Sequence, residues 1–372
     1  MKKKVGIITF HASHNYGSML QAYALQQVVL NMGCDCKIIN FRTERQKEFY
    51  RPHFKRGNIV GRIKRTLIYL PFMTSLCEKD RLFESFLRTQ MLLTEKEYST
   101  LADLFLEDFD FDYIISGSDQ IWNTRCLDFD WAYYLPFVKK AKKIAYAPSM
   151  GPNAKNDVDD IGADKIKDLL LQYSAISVRE QGTESRLKSF TGNNYPILLD
   201  PTLLLLHTYW SKMAGNKPLI SGRYIFLYVP WFHKIVFYKA KEMAKSFNLR
   251  IIVSQLYNTR ENTWIFDSDF KPYLRVGPIE FLNLCKFADC VIGMSFHLVV
   301  FSILLHTPFY AIKGMDDDRI KDLLLLTGLE SRSISEEAEN FSLDAKIDFY
   351  EVNRIINGER IKCLEWLNNC FS

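Results

Sequence analysis

The sequence predicts an α/β protein built from two doubly wound domains, and three features predict it. At 372 residues the chain exceeds what one hydrophobic core usually supports. Its short β-forming runs are apolar almost throughout, as in parallel strands covered on both faces. These runs alternate with helical-period stretches in two successive series. Hydrophobic residues make up 48% and charged residues 24%, ordinary globular usage that excludes a disordered chain.

The first series opens with Lys4 to Phe10 as a strand, a polar turn, a helix from Met19 to Met32 closed by Gly33, and a strand from Cys36 to Phe41. Strands follow at Tyr113 to Ile115, Ile144 to Ala147, Ala175 to Val178 and Ile197 to Leu199, and the turn Asp200-Pro201-Thr202 ends the series. The second series runs strand Tyr224 to Val229, helix Val236 to Phe247, strand Leu249 to Val253, helix Pro278 to Cys285, strand Ala288 to Ile292, a helix from His297, and strand Phe309 to Ile312. This places domains at 1–203 and 204–345, with 346–372 carrying a last helix, Phe349 to Leu367, expected to pack back on the first.

Cys290 to Ile312 holds no Asp, Glu, Lys or Arg and is long enough to span a bilayer. Gly293, Ser295, His297, His306 and Pro308 break it into strand, turn, helix and strand instead.

Net charge is +5, but residues 42–65 carry nine Lys/Arg against Glu44 and Glu48, a local +7 that leaves −2 for the rest. Interleaved with Phe49, Tyr50 and Phe54, this segment reads as a solvated insertion, with peripheral contact to anionic lipid or an acidic glycan carrier as the functional alternative. No helix-turn-helix or RNA-binding motif accompanies it, so no nucleic-acid partner is expected. Eight cysteines lack zinc-like spacing and read as buried thiols of a reducing compartment. Met1-Lys-Lys-Lys precedes an apolar run too short for a signal peptide, so a cytoplasmic protein is expected, with membrane association only at the inner face.

Ligands of doubly wound sheets bind beyond the carboxyl ends of the strands, so four loops matter. In His11 to Ser18, Asn15, Gly17 and Ser18 lie where a helix begins, a place for an anion or for plain capping by Asn15 or Ser18. Ser116-Gly117-Ser118-Asp119 follows a buried strand and suits a tight turn that contacts a ligand, or an ordinary turn into a helix. Arg179 ends a third strand, able to grip a carboxylate or phosphate, or to pair with Glu180 or Asp200. Gly293 to His297 places a histidine at a helix start, where it can hold an anion or move a proton. Neither a dinucleotide nor a Walker signature is present. Among Trp122, Trp231 and Trp264, Trp231 with His233 follows a strand end and is the candidate acceptor pair.

Taken together, Asn15-Tyr16-Gly17-Ser18 with Leu20 to Leu25, Ser116 to Asn123, Ser177-Val178-Arg179-Glu180, Asp200-Pro201-Thr202, Ser295-Phe296-His297, Phe301-Ser302-Ile303 and Pro308-Phe309 resemble the polysaccharide pyruvyl transferase family, in its order, over residues 5 to 312. The resemblance implies two Rossmann-like domains facing a cleft, as in glycosyltransferase-B enzymes. It implies transfer of a pyruvyl group from phosphoenolpyruvate to two hydroxyls of a saccharide or lipid-linked saccharide, forming a cyclic ketal without metal or cofactor. His297 takes the acid/base role and Arg179 the anion clamp, with Asn15, Gly17, Ser18, Gly117, Ser118, Asp119, Ser295 and Lys313 around the donor.

Two positions depart from the family pattern: Ser295 stands where arginine is common and Leu298 where glycine follows the histidine. Lys313 or the basic segment is the candidate replacement for the lost charge. The alternatives are a glycosyltransferase with a nucleotide-sugar donor and a catalytically degenerate glycan-binding member.

Overall fold

The computed structural model describes residues 2–52, 60, 66–67, 69–154, 162–257, 268–335 and 346–372. The chain divides into two compact units, Met1–Arg51 with Glu84–Leu205 and Asn357–Ser372, and Pro52–Phe83 with Leu206–Ile356. Residues 52–83 thus group with the second unit although they lie well inside 1–203 in the chain.

Strands β1 (Lys4–Ile8), β2 (Asp35–Ile38), β3 (Tyr113–Ser116), β4 (Lys142–Ala145) and β5 (Ala175–Ile176) form the first sheet, in the order β2-β1-β3-β4-β5. Every neighbouring pair is parallel. Its chain carries helices α1 (Tyr16–Asn31), α2 (Glu44–Tyr50), the end of α3 (Met73–Gln90), and α4 (Leu101–Phe105), α5 (Ala163–Leu170) and α6 (Gln181–Thr191). Val5, Ile7, Ile8, Ile115 and Ile144 are fully buried, which explains the unbroken apolar runs. Gly33 adopts φ 83° just past the end of α1, the left-handed conformation a terminating glycine supplies.

The second sheet contains β6 (Tyr224–Tyr228), β7 (Arg250–Val253), β8 (Phe270–Pro272), β9 (Cys290–Gly293), β10 (Phe309–Ile312) and β11 (Ser333–Ile334), in the order β11-β10-β9-β6-β7-β8. All its pairs are parallel as well. Helices α7 (His207–Met213), α8 (Lys234–Phe247), α9 (Pro278–Lys286), α10 (Phe296–Leu304) and α11 (Asp318–Thr327) accompany it.

The uncharged run is therefore β9, α10 and β10, and no helix among the described residues is long and apolar enough to cross a membrane. Ile197 to Leu199 does not form a regular strand. It meets Val178 in a single bridge, because Pro196 and Pro201 flank it and offer no N–H to extend a ladder. The last helix, α12 (Phe349–Cys370), belongs to the second unit up to Ile356 and to the first from Asn357. There Tyr113 donates its hydroxyl to Phe371 O (3.1 Å) and Arg360 Nε donates to Leu203 O (2.9 Å).

Candidate active site

Chain order reverses between β1 and β3 in the first sheet and between β6 and β9 in the second, and these reversals are where doubly wound sheets hold ligands. A glycine lets two backbones close up at the ends of β3 and β4 in the first sheet and of β9 and β6 in the second. A Cβ on Gly117 would lie 2.0 Å from Tyr146 O, and one on Gly293 would lie 2.0 Å from Tyr228 O.

In the first unit, buried Gln21 locks the loops after β1 and β3 together. Its Nε2 donates to Thr9 Oγ1 and Ser18 O (2.9 Å each), while Ser118 N donates to its Oε1 (3.2 Å). Ser18 Oγ donates to Asp119 Oδ2 (2.6 Å), so Ser18, Ser118 and Asp119 belong to one buried network. Asn15 Oδ1 accepts from Gly17 N (3.0 Å) and Ser18 N (3.4 Å). Asn15 thus caps the helix start.

Arg179 is likewise buried, with 2% of its side chain exposed, and it makes ion pairs to neighbouring carboxylates. Its Nη1 donates to Asp200 Oδ2 (3.0 Å) and stands 3.7 Å from Asp119 Oδ1, and its Nε donates to Glu180 Oε2 (3.3 Å). Thr202 N and Oγ1 donate to Asp200 Oδ1 (3.0 and 2.7 Å), and Thr183 Oγ1 donates to Glu180 Oε1. One guanidinium thus gathers carboxylates from three loops, a frame for the strand ends.

Beside it, Tyr50 and Ser13 both donate hydroxyls to Asp128 Oδ2 (2.7 and 2.9 Å), and Gln46 Nε2 donates to Ser13 Oγ (3.1 Å). Burial raises the Asp128 carboxyl above the ordinary range. His14 Nε2 lies 3.0 Å from Glu84 Oε1, and Arg42 Nη2 donates to the same oxygen at 2.7 Å. These two partners hold the Glu84 carboxyl down at about 2.

The basic segment begins as a paired surface: Arg42 on Glu84, Lys47 on Glu44 and Glu97, Arg51 on Glu48. Lys55, Arg56, Arg62, Lys64 and Arg65 lie outside the described residues, as does Trp264.

In the second unit, Ser295 is the N-cap of α10 but makes no side-chain bond to the helix amides. His297 follows in the first turn, 7% exposed, and Leu298 packs against Gly293 in the core. Lys313 ends β10 in the left-handed conformation (φ 56°), with Nζ 3.6 Å from Asp316 Oδ2. After β6, Trp231 is 71% exposed, whereas Trp122 is fully buried and stacked on Tyr134 at 5.0 Å. His233 caps α8 without a side-chain bond to it, and its buried Nδ1 has no hydrogen-bond partner among the described residues. Beyond β7, Lys79 of α3 donates Nζ to Ser254 O (3.0 Å), and burial lowers its ammonium to about 7. Next in sequence, Gln255 Nε2 donates to Val229 O (2.6 Å) and Pro230 O (3.2 Å), tying this rim to the loop that carries Trp231.

Residues 15–314 match the family model of the polysaccharide pyruvyl transferases. The chain belongs to the polysaccharide pyruvyl transferase family. No curated protein matches it. Among solved structures it is similar to the UDP-GlcNAc 2-epimerase of Methanocaldococcus jannaschii in complex with UDP-GlcNAc and UDP, at 12% identity and TM-score 0.53, covering 97% of this chain and 93% of that one. The UDP-N-acetylglucosamine 2-epimerase of Rickettsia bellii gives 12% identity, coverage of 99% and 98%, and TM-score 0.49. The glycosyltransferase SnogD of Streptomyces nogalater gives 9% identity, coverage of 98% and 96%, and TM-score 0.43. The first likeness, with the two strand orders, makes this pyruvyl transferase family member a glycosyltransferase-B-like α/β protein of two Rossmann-like units.

Within that fold the anticipated residues fall into two sets. Asn15, Gly17, Ser18, Gly117, Ser118, Asp119 and Arg179 stand at strand ends of the first unit, and Trp231, His233, Ser295, His297 and Lys313 at strand ends of the second. Lys79, Asp128 and Glu84 carry no motif of their own, and their roles emerge only from contacts far apart in the chain, such as Ser13 with Asp128 at a separation of 115 residues.

Proposed function

We propose that this family member transfers the pyruvyl group of phosphoenolpyruvate to two hydroxyls of a saccharide or lipid-linked saccharide, forming a cyclic ketal and releasing phosphate. The observation that carries the reading is the start of α10 at the β6/β9 reversal. Ser295 leaves the helix amides to a ligand, and His297 stands in the same turn.

Phosphoenolpyruvate brings a phosphate and a carboxylate, which call for helix amides and cations. Ser295 removes the cation that arginine supplies in relatives, and we assign its place to Lys79, an amine at the rim beyond β7. Lys313 is a further donor contact on β10. His297 delivers a proton to the methylene carbon as a saccharide oxygen bonds to the adjacent carbon. Arg179 acts at one remove in this reading, holding Asp119, Glu180 and Asp200 in place. Trp231 offers an exposed face on which a pyranose ring can stack, with His233 beside it. Eight cysteines without a disulfide suit the cytoplasm, the compartment this reading gives the protein.

Thermal shift tests the donor. Phosphoenolpyruvate at about 100 times its Kd adds about 2.7 kcal/mol of stability and a clear rise in Tm. A rise with UDP-sugars and none with phosphoenolpyruvate assigns the protein to nucleotide-sugar glycosyl transfer instead.

A further inference from the structure

We propose that Gln255 and Tyr257 are positioning residues that hold Trp231 out from the second unit as a preformed platform for a pyranose ring. That the ring belongs to the acceptor rests on the pyruvyl-transfer reading above. The platform itself does not.

Trp231 follows β6 in the run Val229-Pro230-Trp231-Phe232-His233 and is 71% exposed. Tryptophan is on average one of the more deeply buried side chains, so its exposure here asks for a cause. The next residue shows that this loop can pack an aromatic inward. The Phe232 ring lies 4.9 Å from Phe237 of α8, whose ring meets Tyr257 edge-on at 4.8 Å. Phe232 is packed and its neighbour is left outside.

The backbone that fixes this choice is clamped from the loop after β7. Tyr257 is buried and engages both polar groups of Val229: Val229 N donates to its hydroxyl at 3.2 Å, and the hydroxyl donates to Val229 O at 3.0 Å. Gln255 Nε2 donates to the same carbonyl at 2.6 Å and to Pro230 O at 3.2 Å. Two side chains thus hold the two residues before Trp231 with four hydrogen bonds. Pro230 contributes a fixed φ of its own. Burial raises the Tyr257 phenol above its ordinary range, so the hydroxyl keeps its proton and goes on donating.

A lock of this kind supplies preorganisation. A loop free to fold Trp231 inward has to release it before binding, and that cost is subtracted from affinity. The ring it presents has a flat apolar face, which matches the C–H face of a pyranose whose hydroxyls lie around its rim. Residues 229–233 include no Asp, Glu, Lys or Arg, so the platform suits a neutral ring rather than a phosphate or carboxylate.

Fluorine NMR of the full chain labelled with fluorotryptophan tests this, with Trp231→Phe assigning the Trp231 line. The probes are methyl β-D-galactopyranoside, methyl β-D-glucopyranoside and methyl N-acetyl-β-D-mannosaminide, with uridine as the competing planar ring. In the wild type at least one pyranoside shifts the Trp231 line at millimolar concentration. Gln255→Leu keeps the bulk and loses both donor bonds. It moves the Trp231 line before any sugar is added and weakens pyranoside binding about fivefold or more, while the phosphoenolpyruvate thermal shift is unchanged. Tyr257→Phe acts in the same direction and decides in the same terms if Gln255→Leu does not fold. A Trp231 line that no pyranoside moves overturns the proposal, as does one moved by uridine alone. So does a folded Gln255→Leu protein whose Trp231 line and pyranoside affinity match the wild type. Gln255-dependent pyranoside binding without a phosphoenolpyruvate shift keeps the platform and removes the pyruvyl-transfer reading, and the reverse removes the platform alone.

Discussion

Arg179 Nη1 donates to Asp200 Oδ2 at 3.0 Å across 21 residues of chain, and both side chains are withdrawn from solvent. Breaking a buried pair by removing one partner costs about 3–5 kcal/mol, because the other charge is left unbalanced. Arg179→Met therefore loses about that much in urea unfolding, and Arg179→Lys recovers only part of it, since a point charge cannot serve the positions of a planar fork. An Arg179→Met protein of unchanged stability that no longer binds phosphoenolpyruvate makes Arg179 the anion clamp.

Glu84 gives a stability signature in acid. Its folded carboxyl is pushed down to about 2, below the ordinary value of 4.5, by His14 and Arg42. The folded state therefore binds fewer protons than the unfolded chain between those values, so this stabilisation is complete above about 4.5 and disappears as pH falls to about 2. Wild type exceeds Glu84→Gln in unfolding free energy at pH 7, and the gap closes toward pH 2. A constant gap assigns the difference to packing.

At the end of β3, Gly117→Ala sets a Cβ 2.0 Å from Tyr146 O at φ +141°. Neither backbone can move without disturbing β3 or β4, so a loss of about 3 kcal/mol or more is expected. Gly33→Ala, with nothing within 4 Å of its Cβ, meets only the strain of φ +83° and loses about 1 kcal/mol. Equal losses in thermal unfolding contradict the steric account.

The long buried strands were legible in the sequence because both faces of each are covered, which makes their apolar runs continuous. β8 and β11, three and two residues at the sheet edges, carry no such signal. Loops after the strands were legible as candidate sites because the strand-end rule needs only chain order. What the rule cannot supply is the partner of each side chain. The cap made by Asn15 and the ion pairs made by Arg179 emerge only from burial and geometry, and the contacts of Asp128 and Lys79 come from Tyr50 and Ser254, far away in the chain.

Ser295 and Lys79 supply the test of the proposed donor site, in which Lys79 provides the cation that Ser295 lacks. The Lys79 ammonium is lowered to about 7 by burial, so it is charged below that pH and neutral above it. Without ligand, its folded pKa lies below the unfolded 10.5, so burying it costs stability at low pH and that cost fades as pH rises through this range. In the proposed donor site, bound phosphoenolpyruvate would reverse the balance by favouring the charged amine. Lys79→Met is therefore expected to weaken phosphoenolpyruvate about tenfold at pH 6 and much less at pH 9, a loss of about 1.4 kcal/mol at the lower pH. Adding Ser295→Arg to Lys79→Met returns a permanent cation to the start of α10 and restores affinity without the pH dependence. Isothermal titration of the four proteins at both pH values measures this, and a Lys79→Met protein that binds like the wild type at pH 6 removes Lys79 from the donor site.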